Sequence, residues 1–249
     1  MTAPARTLAL PGAHNLRDLG GYAAEGGRIT RWRRVLRADS PHGLAPEGLA
    51  RLKAEGLRTV IDLRTADEAA AQPNPFAADP AVAYRALPLV PDLAPAALFA
   101  EAARGGDVLG AFYARALEEH RAAMRDVLSA VASAPDGAVM VHCTVGKDRT
   151  GLVAALVLAV AGVAQETIVA DYALTEAMIA ALAAGLIDQA RRHGADPAAM
   201  ARLMAAPAGT MRATLAGLAA RHGSVTGYLD RIGLPPGDRS ALRDRMLGG

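Results

Sequence analysis

A single cysteine, Cys143, stands in a chain of 249 residues. That scarcity excludes an internal disulfide framework and every multi-cysteine zinc or iron–sulfur site. His14, His120, His193 and His222 have no metal-ligand spacing, so neither a metal nor a cofactor is expected. Charge of one sign is also lacking: 27 Lys+Arg against 25 Asp+Glu leave +2. Nucleic acid is therefore not an expected partner, because no strong polyanion-binding field follows from the net charge. The longest apolar run, 152–163, falls well short of the roughly 20 residues of a membrane span, so no integral membrane segment is expected. The first ten residues hold one arginine and no apolar core of secretory length, which points to the cytoplasm, or to export without a cleaved signal. One surviving thiol suits a reducing compartment.

Internal repeats, low-complexity tracts and long linkers are absent too. What is present is an alternation of strand-like and helix-like segments, so the simplest organisation is one α/β domain over 1–249. Two short β-branched runs, 58–64 and 138–142, read as buried parallel strands, the second introduced by the turn-former Pro135-Asp136-Gly137. A third strand is expected over 82–90, after a proline-rich loop at 72–79. Helices are expected at 46–55, stopped by Gly56, and at 109–132, where Phe112, Ala116, Leu117, Met124, Val127, Leu128 and Val131 recur near helical spacing. Beyond Gly151 the chain reads as largely helical: 152–161, 165–192 with a bend at Gly185, 197–203, 211–221, 225–234 and 239–247.

The chemistry concentrates in His142-Cys143-Thr144-Val145-Gly146-Lys147-Asp148-Arg149-Thr150-Gly151. The cysteine sits where a strand ends and a helix begins. Successive backbone N–H groups converge on an anion at such a junction, and the positive end of the helix adds to the attraction. Arg149 closes the loop over the bound group, its planar fork matched to two phosphate oxygens. Thr144, Val145, Gly146, Lys147 and Thr150 are the expected cradle residues, with Gly146 permitting the tight turn. These surroundings favour thiolate over thiol at Cys143, making it a nucleophile that attacks phosphorus and forms a phosphocysteine. His142 is expected to orient the loop through hydrogen bonds. The glycine spacing of a Walker A loop is absent.

This stretch resembles the signature of the cysteine-dependent protein tyrosine phosphatase superfamily, and more narrowly that of the atypical bacterial tyrosine phosphatases related to mycobacterial secreted phosphatase B. Weaker family-like segments follow in order: Asn15-Leu16-Arg17-Asp18-Leu19-Gly20-Gly21-Tyr22, Leu36-Arg37-Ala38-Asp39, Ile61-Asp62-Leu63-Arg64 and Gly227-Tyr228-Leu229-Asp230-Arg231-Ile232-Gly233-Leu234. The resemblance implies a central, mostly parallel sheet flanked by helices, and hydrolysis of phosphotyrosine, with phosphoserine, phosphothreonine and phosphoinositides as further family substrates. Lys147 stands where lipid phosphatases carry lysine, or it supplements the field around any phosphate. The alanine-rich helix near 175–192 reads either as an apolar lid or as ordinary packing.

The proton donor to the leaving oxygen is open among three carboxyls, since no Trp-Pro-Asp loop is present. Asp148 lies in the cradle, or is tied to a backbone amide or an arginine; Asp62 ends a strand at the same sheet edge as Cys143, or pairs with Arg64 or caps a turn; Asp92 follows Pro91; they are ordered Asp148, Asp62, Asp92. Arg17 and Asp18 read as parts of a structural turn near Gly20-Gly21, and the family resemblance also allows them proximity to the site. The main functional expectation is a metal-independent phosphomonoesterase acting on phosphotyrosine proteins. The alternatives are a phosphoinositide phosphatase and a phosphate-binding module without turnover.

Overall fold

The computed structural model describes residues 4–248. In chain order its elements are β1 (Arg17–Asp18), β2 (Val35–Ala38), α1 (Pro46–Ala54), β3 (Leu57–Asp62), α2 (Ala66–Ala71), β4 (Ala83–Ala86), α3 (Pro95–Arg104), α4 (Val108–Glu118), α5 (Arg121–Ala132) and β5 (Ala138–His142). Helices alone follow: α6 (Asp148–Val160), α7 (Gln165–Met178), α8 (Ala180–Arg192), α9 (Pro197–Met204), α10 (Ala208–His222), α11 (Val225–Arg231) and α12 (Pro236–Leu247). The strands form one five-stranded sheet in the order β1-β2-β5-β3-β4. Only β1 runs antiparallel, to β2; the other pairings are parallel. This is the α/β architecture with a mostly parallel sheet and a helical C-terminal half that the sequence predicts.

Period-two alternation divides the core. Val139 and Val141 of β5 face one side, toward α5, α6 and α12, while Ala138 and Met140 face the other, with Leu52, Leu57, Val60 and Phe76. Each such aliphatic side chain, once buried, contributes about 1.5–3 kcal/mol relative to exposure. Register then fixes the functional edge: Ala38 and Asp62 both pair with His142. The chain therefore leaves β2, β3 and β5 at one level, and ligands of open α/β sheets collect outside that edge.

The structure corrects several boundaries. The strand expected over 82–90 is confined to β4 and lies on the sheet edge. The helix expected over 109–132 is two helices, α4 and α5, broken at Glu119 and His120. Leu117 and Met124 continue one apolar stripe across the break, so periodicity does not register it. His120 turns the chain there, its Nε2 3.1 Å from an Asp92 carboxylate oxygen. The bend expected at Gly185 falls instead at Ile179, where α7 and α8 diverge by 56°. Ile179, the residue between the two helices, is buried. No single described helix is long and apolar enough to cross a membrane.

Candidate active site

β5 delivers Cys143 to the sheet edge, and α6 starts five residues later at Asp148. Between them the loop turns its carbonyls outward, and each of three in succession is held from behind. The Ser40 N–H donates to Thr144 O (3.1 Å), Asn15 Nδ2 to Val145 O (3.0 Å) and Arg37 Nη2 to Gly146 O (2.8 Å). A peptide whose carbonyl is drawn outward presents its N–H inward. The N–H groups of Thr144, Val145, Gly146 and Lys147 have no protein acceptor among the described residues. No side chain caps α6, so its first amides add to this anion-binding concavity. Gly146 makes the turn at φ +69°, and a Cβ there would stand 2.4 Å from Ala38 O.

The outward supports rest on a buried charge cluster. Asp171 of α7 accepts from Arg17 Nε (3.1 Å), Arg37 Nη1 (2.7 Å) and the Tyr22 hydroxyl (2.8 Å), and all but Tyr22 are fully buried. Burial opposes ionisation of Asp171, but the charges of Arg37 and Arg17 outweigh it and bring the carboxyl down to about 2. Arg17 is thus part of the scaffold behind the loop and more than a turn residue. It also bonds the Asn15 side chain that holds Val145.

Arg149, in the first turn of α6, points back over the loop and is nearly buried. Its two terminal nitrogens donate to Glu68 of α2 (2.6 and 2.7 Å), and Nη1 also reaches Leu63 O at 3.3 Å. Nε remains for a phosphate oxygen. Glu68 is one residue of the site that sequence reasoning missed, although Thr65-Ala66-Asp67-Glu68 is a readable capping box. Its Oε2 also accepts from the Thr65 N–H and its Oε1 from the Thr144 hydroxyl. Burial opposes its charge, but the hydrogen bonds and charge of Arg149 prevail and hold the carboxyl at about 2. Arg149 in turn is held above its ordinary value: burial opposes its charge, and the Glu68 hydrogen bonds lead the opposing effects.

His142 is fully buried. Asn74 Oδ1 accepts from the Phe76 N–H, so Asn74 Nδ2 faces His142 Nε2 (2.8 Å), which leaves Nδ1–H to donate to Cys143 O (3.0 Å). Burial, against the opposing charge of Asp62, lowers the imidazole to about 4, so it is neutral at pH 7.

The three candidate proton donors separate cleanly. Asp62 is buried and accepts from Arg64 Nε and Nη2 and from the Tyr84 hydroxyl (3.0 Å). Burial opposes its ionisation, yet the Arg64 hydrogen bonds win and hold it at about 2, an anion paired with Arg64 at the sheet edge. Asp92 is exposed, beside His120. Asp148 alone lines the cavity at the loop, together with Arg149. That cavity, about 150 Å3, is walled by Leu98 of α3, Leu109 and Phe112 of α4, and Leu203 and Met204 of α9. Thr150 is buried under the loop, and Lys147 is buried with its Nζ on Asp148 Oδ1 (2.7 Å) and Ala205 O (3.0 Å).

A strand-loop-helix anion cradle with one cysteine at its base and an arginine over it defines a phosphoryl-transfer site of the cysteine-dependent kind. The chain belongs to the tyrosine phosphatase family, whose family model matches residues 8–248, and it is a protein tyrosine phosphatase. It is 34% identical to a tyrosine-protein phosphatase of Nostoc commune, over 78% of this chain and 68% of the relative. It is 33% identical to a provisionally named tyrosine-protein phosphatase of Cupriavidus necator, over 97% of this chain and 89% of the relative. The triple specificity protein phosphatase PtpB of Mycobacterium tuberculosis is 28% identical, over 96% and 98%.

Proposed function

We propose that the enzyme hydrolyses phosphotyrosine through a covalent phosphocysteine, with Cys143 as nucleophile, Arg149 and the loop amides holding the phosphoryl oxygens, and Asp148 as proton donor. The Cys143 thiolate attacks phosphorus as the P–O ester bond breaks, and the leaving oxygen takes the bonding pair and a proton from Asp148. Water then attacks the phosphocysteine, Asp148 takes the water's proton, and the S–P bond breaks to return the thiolate and inorganic phosphate. Throughout, the amides and Arg149 stabilise charge on the equatorial oxygens.

The observation that carries this reading is the apolar wall beside Asp148 and Arg149. An aromatic ring leaving from the cradle has Phe112, Leu109 and Met204 to pack against, whereas a polyhydroxylated inositol ring has no polar wall. The phosphoinositide reading needs the Lys147 ammonium turned toward substrate, and that group is buried and occupied by Asp148 and Ala205. Phosphoserine and phosphothreonine are proposed as slower substrates, in line with the triple specificity in the name of the mycobacterial relative. Phosphate release in chelator from a phosphotyrosine peptide, matched phosphoserine and phosphothreonine peptides, and phosphoinositide vesicles tests this. The proposal expects the phosphotyrosine peptide to be fastest; a preference for the vesicles overturns it.

A further inference from the structure

One buried phenol contacts the carboxyl of Asp148 and a second contacts the first, and the steps above use neither. The Tyr113 hydroxyl of α4 donates to Asp148 Oδ1 at 2.7 Å, and the Tyr172 hydroxyl of α7 lies 2.6 Å from that of Tyr113. Both side chains are buried, and their rings meet edge to face at 6.1 Å. Tyr113 has one proton, and it goes to Asp148, so Tyr172 is the donor between the two phenols. Lys147 Nζ donates to that same Oδ1. Two donors therefore converge on one carboxyl oxygen, and none among the described residues reaches Oδ2. Burial and the neighbouring Asp148 charge both hold each phenol above its ordinary value, so both remain donors at neutral pH.

We infer that Tyr113, supported by Tyr172, is a positioning residue that keeps the proton of Asp148 on Oδ2, the oxygen left to the substrate cavity. A proton on Oδ1 would meet the Tyr113 hydroxyl and the Lys147 ammonium, both already pointing hydrogens at it. The carboxyl thus has one orientation in which it is an acid toward the leaving oxygen, and the same orientation serves when the carboxylate accepts the proton of water. This inference rests on Asp148 being the proton donor.

The test compares leaving groups. Phosphocysteine formation is followed by rapid quench with phenyl phosphate, whose leaving oxygen needs a proton, and with 2,4-dinitrophenyl phosphate, whose leaving oxygen does not. Tyr113→Phe is expected to slow the first by about tenfold or more and to leave the second within about twofold, with orthovanadate inhibition unchanged. In an Asp148→Asn background, Tyr113→Phe is expected to add nothing, because the group it positions is gone. Equal slowing on both substrates, or losses that add in the double variant, overturns the inference and makes Tyr113 a packing residue. Should Tyr113→Phe not fold, Tyr172→Phe carries the same test, with the selective loss expected in smaller measure and an unselective one or none overturning the inference. Absence of hydrolysis of any aryl phosphate by the unaltered protein instead removes the proposed function.

Discussion

Glu68→Gln tests the support of the cradle arginine without touching substrate. The carboxylate accepts four hydrogen bonds, two per oxygen: Thr65 N–H and Arg149 Nη1 on Oε2, the Thr144 hydroxyl and Arg149 Nη2 on Oε1. Glutamine supplies one oxygen and one NH2, so whichever way it lies its NH2 faces an Arg149 N–H. With the NH2 in the place of Oε2 two of the four bonds become donor against donor, and in the place of Oε1 one does, since the Thr144 hydroxyl can turn to accept; either way the guanidinium loses its counter-charge. Lowering the carboxyl from the ordinary 4.5 to about 2 corresponds to about 3 kcal/mol as a ceiling. The Glu68 side chain is 21% exposed, so solvent screening brings the expected loss to about 2 kcal/mol. For a chain of this size that is a fall of about 4–8 °C in melting temperature. The pH dependence has a fixed sign. A carboxyl depressed in the folded state contributes stability that is present above its unfolded value and lost as pH falls through its folded one. The gap between wild type and variant is therefore expected in full at pH 7 and to close between about pH 4.5 and 2. Urea unfolding across that range measures it. An unchanged midpoint at pH 7, or a gap that does not vary with pH, refutes the reasoning.

Other consequences can be measured alongside. Asp171→Asn leaves Arg17 and Arg37 buried and facing one another without an anion, and is expected to lose about 3–5 kcal/mol in denaturant unfolding. Gly146→Ala forces a Cβ to 2.4 Å from Ala38 O at φ +69°; orthovanadate affinity is expected to fall by about tenfold or more, read by inhibition of aryl phosphate hydrolysis. The His142 imidazole, lowered by burial to about 4, is expected to show no NMR titration between pH 7 and 5.5. Its linkage also has a fixed sign: stability present above the ordinary 6.5 is lost as pH falls toward 4, by about 3 kcal/mol, and His142→Asn removes that part of the slope.

The sequence made the catalytic loop legible because its chemistry is local. A strand, a glycine able to turn and a helix start lie within the ten residues from His142 to Gly151, and backbone geometry makes a cradle of them. The parallel strands β3 and β5 were legible for a similar reason, as short β-branched runs buried on both faces. The supports of the loop were not, since each depends on a pairing that only the fold creates. Glu68 shows in sequence as half of a capping box, and nothing in that box says that its second oxygen meets Arg149, 81 residues on. Tyr113 fell within an apolar helical stripe, where a hydroxyl is silent until Asp148 is seen beside it. Asp62 was legible both in its place at the sheet edge and in its pairing with Arg64, two residues later, because both are local. The break at Ile179 also escaped, because the one glycine in the run suggested Gly185, whereas the turn falls at a buried isoleucine.

The central claim is that the sole cysteine carries the phosphoryl group. Rapid acid quench during turnover of an aryl phosphate, followed by peptide mass spectrometry, reads this directly. A phosphoryl adduct on Cys143, formed at the rate of the first phenol release and absent in an inactive Cys143→Ser variant, is the predicted result. Turnover with no such adduct, an adduct on another residue, or retained hydrolysis in Cys143→Ser contradicts the account.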